Sequence, residues 1–208
     1  MDIIPQLILN SIIAGAIYTL IAISFNLIYG ATKFFNLAHG VTTAIGGYAF
    51  FYFAKTLGLN IYLAALIGIL LAGLAGYGLD KLIYSPLRKR KASNMVSLVA
   101  SLGVLTAMQA VIAILFTSQF KTLSQNAGMQ KVFEIFGGVI TQTQLIILAS
   151  AVFITAGLVL LLYKTRFGKA IRAISDNEEV AKIVGINTNK IIGYVFIIGS
   201  AIAGLASI

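Results

Sequence analysis

Few side chains in this sequence are equipped for chemistry. Its 208 residues include one histidine, His39, six acids and no cysteine. A metal centre needs several His, Cys, Asp or Glu ligands brought together. A single histidine and scattered acids do not supply one, so no metal site, bound cofactor or catalytic residue is expected. No G-x-x-x-x-G-K-[ST] occurs, so ATP chemistry is not housed in this chain. What stands out is residues 167–186, FGKAIRAISDNEEVAKIVGI. This stretch carries six charged residues in twenty in a chain that is 10% charged, and three of the six acids: Asp176, Glu178 and Glu179.

The rest of the chain explains why such an island is unusual. Hydrophobic residues make up 59% and the mean hydropathy is +0.97, values of a protein that crosses a bilayer several times. A spanning helix needs about 20 mostly apolar residues, and six apolar runs qualify or nearly do: 3–29, 37–54, 61–84, 95–117, 144–163 and 191–208. The expected fold class is an all-α membrane protein, a multi-spanning helical bundle forming a single transmembrane domain over 1–208. The second run is short and holds Gly40, Gly46 and Gly47, so a broken or re-entrant helix is expected there. The sixth run meets no polar stop before Ile208, which reads as a domain incomplete at its C-terminus. The first run is preceded by no basic residue, Lys33 being the first, and is too long for a cleaved leader; it reads as a retained span.

The net charge of +9 sorts by side. With the loop SPLRKRKASN in the cytoplasm and the spans alternating, twelve of the fifteen basic residues fall inside, leaving Lys55, Lys121 and Lys131 outside. The positive-inside bias accounts for the charge, and no nucleic-acid partner is needed. The same alternation places 118–143 outside. Within it, Gly137-Gly138 predicts a hairpin, and Thr141 with Gln144 predicts a capping box opening the next helix.

Two spans carry small or polar residues along one face. In the first these are Ser11, Gly15, Thr19, Ala22, Asn26 and Gly30; in the third, Ala64, Gly68, Ala72, Gly76 and Asp80. Such faces let helices approach closely in lipid, or they line a path. The third is read as packing. The first stays open between the two readings, with Ser11, Thr19 and Asn26 as candidate pathway residues. Gln109, deep in the fourth run, is expected to be a buried amide bonded to another helix. Asp80, beside the basic loop, is expected in an interfacial ion pair. Asn36 is a candidate cap for the second helix, and His39 is expected to make a structural hydrogen bond.

Within the island, Asp176 and Glu179 form a helix start signal and Gly185 a stop. The short helix predicted over 176–185 presents Val180, Ile183 and Val184 on one side. Two turns do not hold alone in water. The segment is either a solvated loop or an element that docks on a cytoplasmic partner, with Ala181 facing a neighbour at close quarters.

The sequence FGKAIRAISDNEEVAKIVGIN resembles the cytoplasmic coupling loop of permease subunits in bacterial ABC importers, best the branched-chain amino-acid (LivH-type) family. The matching positions are Gly168, Lys169, Ala170, Arg172, Ala173, Asp176, Ala181, Gly185 and Ile186. NLAHG, YSPLRKRKAS and AGAIYTLIAISFNLIYG agree in order; Val41 departs, where many relatives carry an acid. The resemblance implies a multi-pass protein of the bacterial cytoplasmic (inner) membrane. It implies four kinds of partner: cytoplasmic ATPase subunits, a second permease subunit (a copy or a homologue), a periplasmic solute-binding protein and the lipid bilayer. ATP binding would drive the coupling loop within 164–190, with Gly168, Arg172, Asp176, Glu179, Ala181 and Gly185 as its residues. Leucine, isoleucine and valine are the family's usual solutes; urea, small amides and other amino acids are carried by relatives. The competing expectations are an ion-coupled secondary transporter, which would need charges inside its spans, and a non-transporting scaffold fragment.

Overall fold

The computed structural model of the protein describes residues 3–116, 132–135 and 137–208. Among these residues nine α-helices and one hairpin follow in order: α1 (Ile3–Thr32), α2 (His39–Phe51), α3 (Ile61–Leu79), α4 (Ser85–Lys89), α5 (Asn94–Phe116), β1 (Val132–Ile135), β2 (Gly138–Thr141), α6 (Gln142–Lys164), α7 (Arg166–Asp176), α8 (Glu178–Ile183) and α9 (Thr188–Ala206). The all-α bundle is as expected. Among the described residues five helical stretches are by themselves long and apolar enough to cross a membrane: α1, α3 continuing through α4, α5, α6 and α9. The second run is not among them. Its helix α2 has 13 residues, extended by a π-helical turn over Tyr52–Thr56. The break expected there falls before the glycines, in the non-helical residues 33–38. Even so, α2 runs parallel to α5. Leu37 donates its N–H to Ser101 Oγ at 3.1 Å, and Tyr48 stacks on Phe116 fifteen residues further along α5, at 4.8 Å between centroids.

The central element is α9. Its small residues fall on several faces, so three helices approach it at once. A Cβ on Gly46 of α2 would lie 2.5 Å from Gly204 Cα, and a Cβ on Gly199 would lie 2.8 Å from Ile28 of α1. From α3, Gly76 meets Ser200 and Phe196. The face Ala64–Gly68–Ala72–Gly76–Asp80 is buried along its length, so this stripe is packing, as read. At one end of the bundle Phe34, Tyr84 and Phe196 form an aromatic stack, with centroids 4.9 and 5.4 Å apart. Around it Ile28, Ile171, Ile174, Ala181 and Ile192 complete the core.

Asp80 does pair with Arg88, at 2.7 Å, but in the core and not at the rim, since its side chain is fully buried. In an unbroken α-helix eight residues advance about 800°, which leaves the two residues roughly 80° out of register. Pro86 has no N–H to donate, and the ladder widens ahead of it into a π-helical turn over Asp80–Tyr84. The wider turn takes up the offset and brings both groups to one face.

The predicted hairpin is present, antiparallel with Val132 opposite Thr141 and Ile135 opposite Gly138. Gln6 at the start of α1 holds it like an extra strand: Val139 N–H donates to Gln6 Oε1 at 2.8 Å, and Gln6 Nε2 donates to Val139 O at 3.2 Å. The capping box is also present, with Thr141 N–H donating to Gln144 Oε1 and Gln144 N–H to Thr141 Oγ1. Two expectations are corrected. Gln109 is exposed, because α5 buries only Ser97 and Ser101 against this chain. Asn36 does not cap α2. It lies three residues ahead, where its Oδ1 accepts the Ala38 N–H and the Tyr84 hydroxyl, tying the coil to α3–α4. His39 makes the structural bond expected, 2.8 Å from Ser24 Oγ in the interior. Lys121 and Lys131 lie outside the described residues.

The positive-inside assignment gives a direct test, because the chain has no cysteine. A cysteine at Ser93 is expected to resist a membrane-impermeant maleimide in intact cells, and one at Glu134 in the hairpin to react. External labelling at Ser93 would reverse the assignment.

Candidate functional site

Two regions hold the candidate residues, and they meet at one end of the bundle. The first is the outward side of α1. Ser11, Gly15, Thr19, Ala22 and Asn26 are all exposed, so their face is turned away from the chain's own bundle. A Cβ on Gly15 would meet nothing within 4 Å. Packing within this chain is therefore not what the stripe serves. Ser11 and Thr19 donate their hydroxyls back to Leu7 O and Gly15 O, at 2.8 and 2.7 Å, which satisfies them inside the helix. Asn26 has no such bond among the described residues. A free carboxamide on a spanning helix calls for a polar neighbour. The expected order of effect follows: Asn26→Leu lowers transport more than Thr19→Leu, both with normal amounts of protein in the membrane. If both variants only lower the amount of protein, the face is packing against another subunit.

The second region is the island, which forms two helices where one was expected. Thr165 starts α7 by accepting the Gly168 N–H at 3.0 Å. Phe167, Ile171 and Ile174 then recur at steps of four and three on the face turned to the bundle, with Ile171 and Ile174 buried. That spacing was legible in the sequence as a helical stripe. Gly168 is buried where α7 folds back on α6; a Cβ there would collide with the carbonyls of Leu161 and Leu162. Arg172, next to Ile171, is exposed, its guanidinium 5.1 Å from the Tyr163 ring centroid.

Asp176 does not cap the second helix; it is the last residue of α7. The cap is Asn177. Its extended backbone (φ −156°, ψ 111°) turns the chain, and its Oδ1 accepts the N–H groups of Glu179 and Val180 at 3.0 and 3.1 Å. Asn and Asp cap with similar strength, so the sequence alone left two adjacent choices. Helix α7 already claims Asp176. Glu179 contributes its backbone N–H and leaves its side chain exposed. Glu178, not singled out beforehand, does more: it pairs with Lys182 at 2.7 Å and accepts the Thr188 hydroxyl at 3.2 Å, pinning α8 to the start of α9.

Gly185 ends α8 as expected, at φ +86°. Its N–H donates to Lys182 O and the Ile186 N–H donates to Ala181 O, the paired bonds of a Schellman cap. The island's exposed face is thereby set. Val180, Ile183 and Val184 are 53%, 83% and 68% exposed, whereas Ala181 is 2% exposed and faces this chain's own core. Ala181 is thus a support of α8 and not part of its outer surface. A helix of six residues, capped at both ends and pinned to the bundle, presents three aliphatic side chains to the medium. None of the described residues covers them.

The family model for the branched-chain amino acid transport system permease component matches residues 7–208. The chain is 28% identical over 214 residues to the high-affinity branched-chain amino acid transport system permease protein BraD of Pseudomonas aeruginosa, covering 98% of this chain and 69% of that protein. Identity and coverage are the same for the LivH permease protein of Escherichia coli. The probable branched-chain amino acid transport permease protein LivH of Methanocaldococcus jannaschii is 29% identical, over 95% of this chain and 63% of its own length. No solved structure matches.

Proposed function

The chain belongs to the branched-chain amino acid transport permease family, and on that premise we propose that it is the membrane subunit of an ATP-driven importer. Its solutes are branched-chain amino acids or a related small polar solute. It acts as a multi-pass protein of the cytoplasmic membrane and leaves ATP hydrolysis to cytoplasmic ATPase subunits. A solute-binding protein delivers at the outer face, and a second permease subunit, identical or homologous, completes the path beside the outward stripe of α1.

The observation that carries this reading is the exposed aliphatic face of α8. Three aliphatic residues on a rigidly capped helix, next to acids and beyond the end of a span, suit insertion into a groove on a soluble partner. Gly168 and Ile171 seat α7 on the bundle, so force applied at α8 passes to α1 and α9 through packed contacts. The ion-coupled alternative lacks support among the described residues: the one carboxylate inside a span, Asp80, is already paired with Arg88.

The test is recovery of the ATPase. In the assembled transporter, Ile183→Asp places a charge where an aliphatic group inserts. Co-purification of the ATPase is expected to fall about tenfold, as for loss of one anchor residue worth about 1.4 kcal/mol or more. Unchanged ATPase recovery and transport would remove α8 as the docking element.

A further inference from the structure

Between α1, α6 and α7 lies an open cleft of about 260 Å³. Its walls are aliphatic, from Ile23, Leu27, Leu158 and Leu162; its polar end is formed by Asn26, Arg172 and Ser175. Lys33 Nζ reaches the same end, 3.2 Å from Ser175 Oγ. Neither cation is neutralised there. The ion pairs among the described residues are Arg88–Asp80 and Lys182–Glu178. The Arg172 guanidinium lies 5.1 Å from the Tyr163 ring centroid, a contact that brings no negative charge to it.

We propose that this cleft holds an anionic phospholipid of the cytoplasmic leaflet, its phosphate between Arg172 and Lys33 and an acyl chain along Ile23 and Leu162. Charge complementarity selects the occupant. Two unpaired cations at the end of an aliphatic slot match a phosphate joined to a hydrocarbon chain. A small soluble anion would leave the slot unfilled, and a zwitterionic lipid would bring a positive group against both cations. The inner leaflet supplies anionic headgroups at the depth where the positive-inside assignment places α7. Arginine holds a phosphate through two parallel N–H bonds. A lipid seated here bridges the foot of α1 to α7, the helix that leads into α8, so leaflet composition would bear on how firmly the docking helix is held. The proposal depends on the cytoplasmic placement of 164–190 but not on the identity of the solute.

The test is native mass spectrometry of the purified, intact transporter titrated with phosphatidylglycerol and, separately, phosphatidylcholine of the same chains. The wild-type protein is expected to retain phosphatidylglycerol about tenfold better. Arg172→Gln and Lys33→Gln are each expected to lower that retention about fivefold, as loss of one cation at the membrane surface does, and to leave phosphatidylcholine unchanged. Leu162→Trp, which fills the slot without touching charge, is expected to lower retention of both lipids. Equal retention of the two lipids by the wild-type protein, or no change in both charge variants, would overturn the proposal. Displacement of the lipid by inorganic phosphate at equal concentration would reassign the cleft to a soluble anion. Displacement by leucine would reassign it to the solute path through Asn26.

Discussion

Gly185→Val is expected to disconnect the ATPase from the permease while leaving the protein in the membrane. Valine at φ +86° sets a β-branched side chain in the left-handed region, at a cost of at least about 1–2 kcal/mol. The strain is conformational, because a Cβ at this position meets nothing within 4 Å. It falls on the Schellman pair that closes α8, and a helix of six residues has no reserve once a cap is lost. Val180, Ile183 and Val184 then lose their fixed arrangement. Co-purified ATPase and solute uptake should fall together, by tenfold or more, with membrane abundance close to normal because only Ala181 of α8 belongs to the core. The series at 185 should rank Gly, Asn, Ala, Val, since Asn visits the left-handed region more readily than other side chains. Ala181→Trp should fail differently. Its side chain would collide inside the chain's own core, so abundance and coupling should drop together. Wild-type uptake in Gly185→Val would mean that the island is a solvated loop.

Arg88→Ala is expected to destabilise the fold more than any change on its surface. Asp80 is fully buried and its ion-pair partner among the described residues is Arg88, at 2.7 Å. Removing one member of a buried pair strands the other charge, typically at about 3–5 kcal/mol, which is comparable with the whole stability of many domains. The protein should be depleted from the membrane, and the purified remainder should lose its sharp elution profile at a lower temperature than the parent. Asp80→Asn combined with Arg88→Gln should recover most of the loss, because no net charge is then left inside. If the double variant is as poor as Arg88→Ala, the role of Arg88 is to pack against the core rather than to neutralise Asp80.

The candidate site was legible in uneven measure. Gly185 could be read because only a few residues tolerate φ > 0, and a glycine after an apolar-periodic segment marks a helix end. The Thr141–Gln144 box could be read for a similar reason: its two hydrogen bonds are local and depend on residues three apart. The choice between Asp176 and Asn177 as the cap could not. Both side chains serve equally well, and the decision falls to α7, whose buried Ile171 and Ile174 extend that helix through Asp176. Ala181 does face a neighbour at close quarters, but the sequence did not say that the neighbour is this chain's own core, since spacing on a helix shows which residues share a face and not which face the rest of the protein covers.

By itself the sequence determined those features set by composition and near neighbours: a membrane-spanning α-helical chain, the hairpin at Gly137-Gly138, the turns at Thr141 and Gly185, and the motifs by which its family is known. Only the tertiary structure decided what depends on distant partners. It buried the small-residue face of α3 against α9 and turned the similar face of α1 outward. It left Gln109 exposed on α5, widened the helix before Pro86 so that Asp80 meets Arg88, and brought Asn26, Lys33 and Arg172 to one cleft. Small residues permit close approach on any helix in lipid. Which helix arrives is settled by shape and packing across the whole bundle, and no local spacing encodes that.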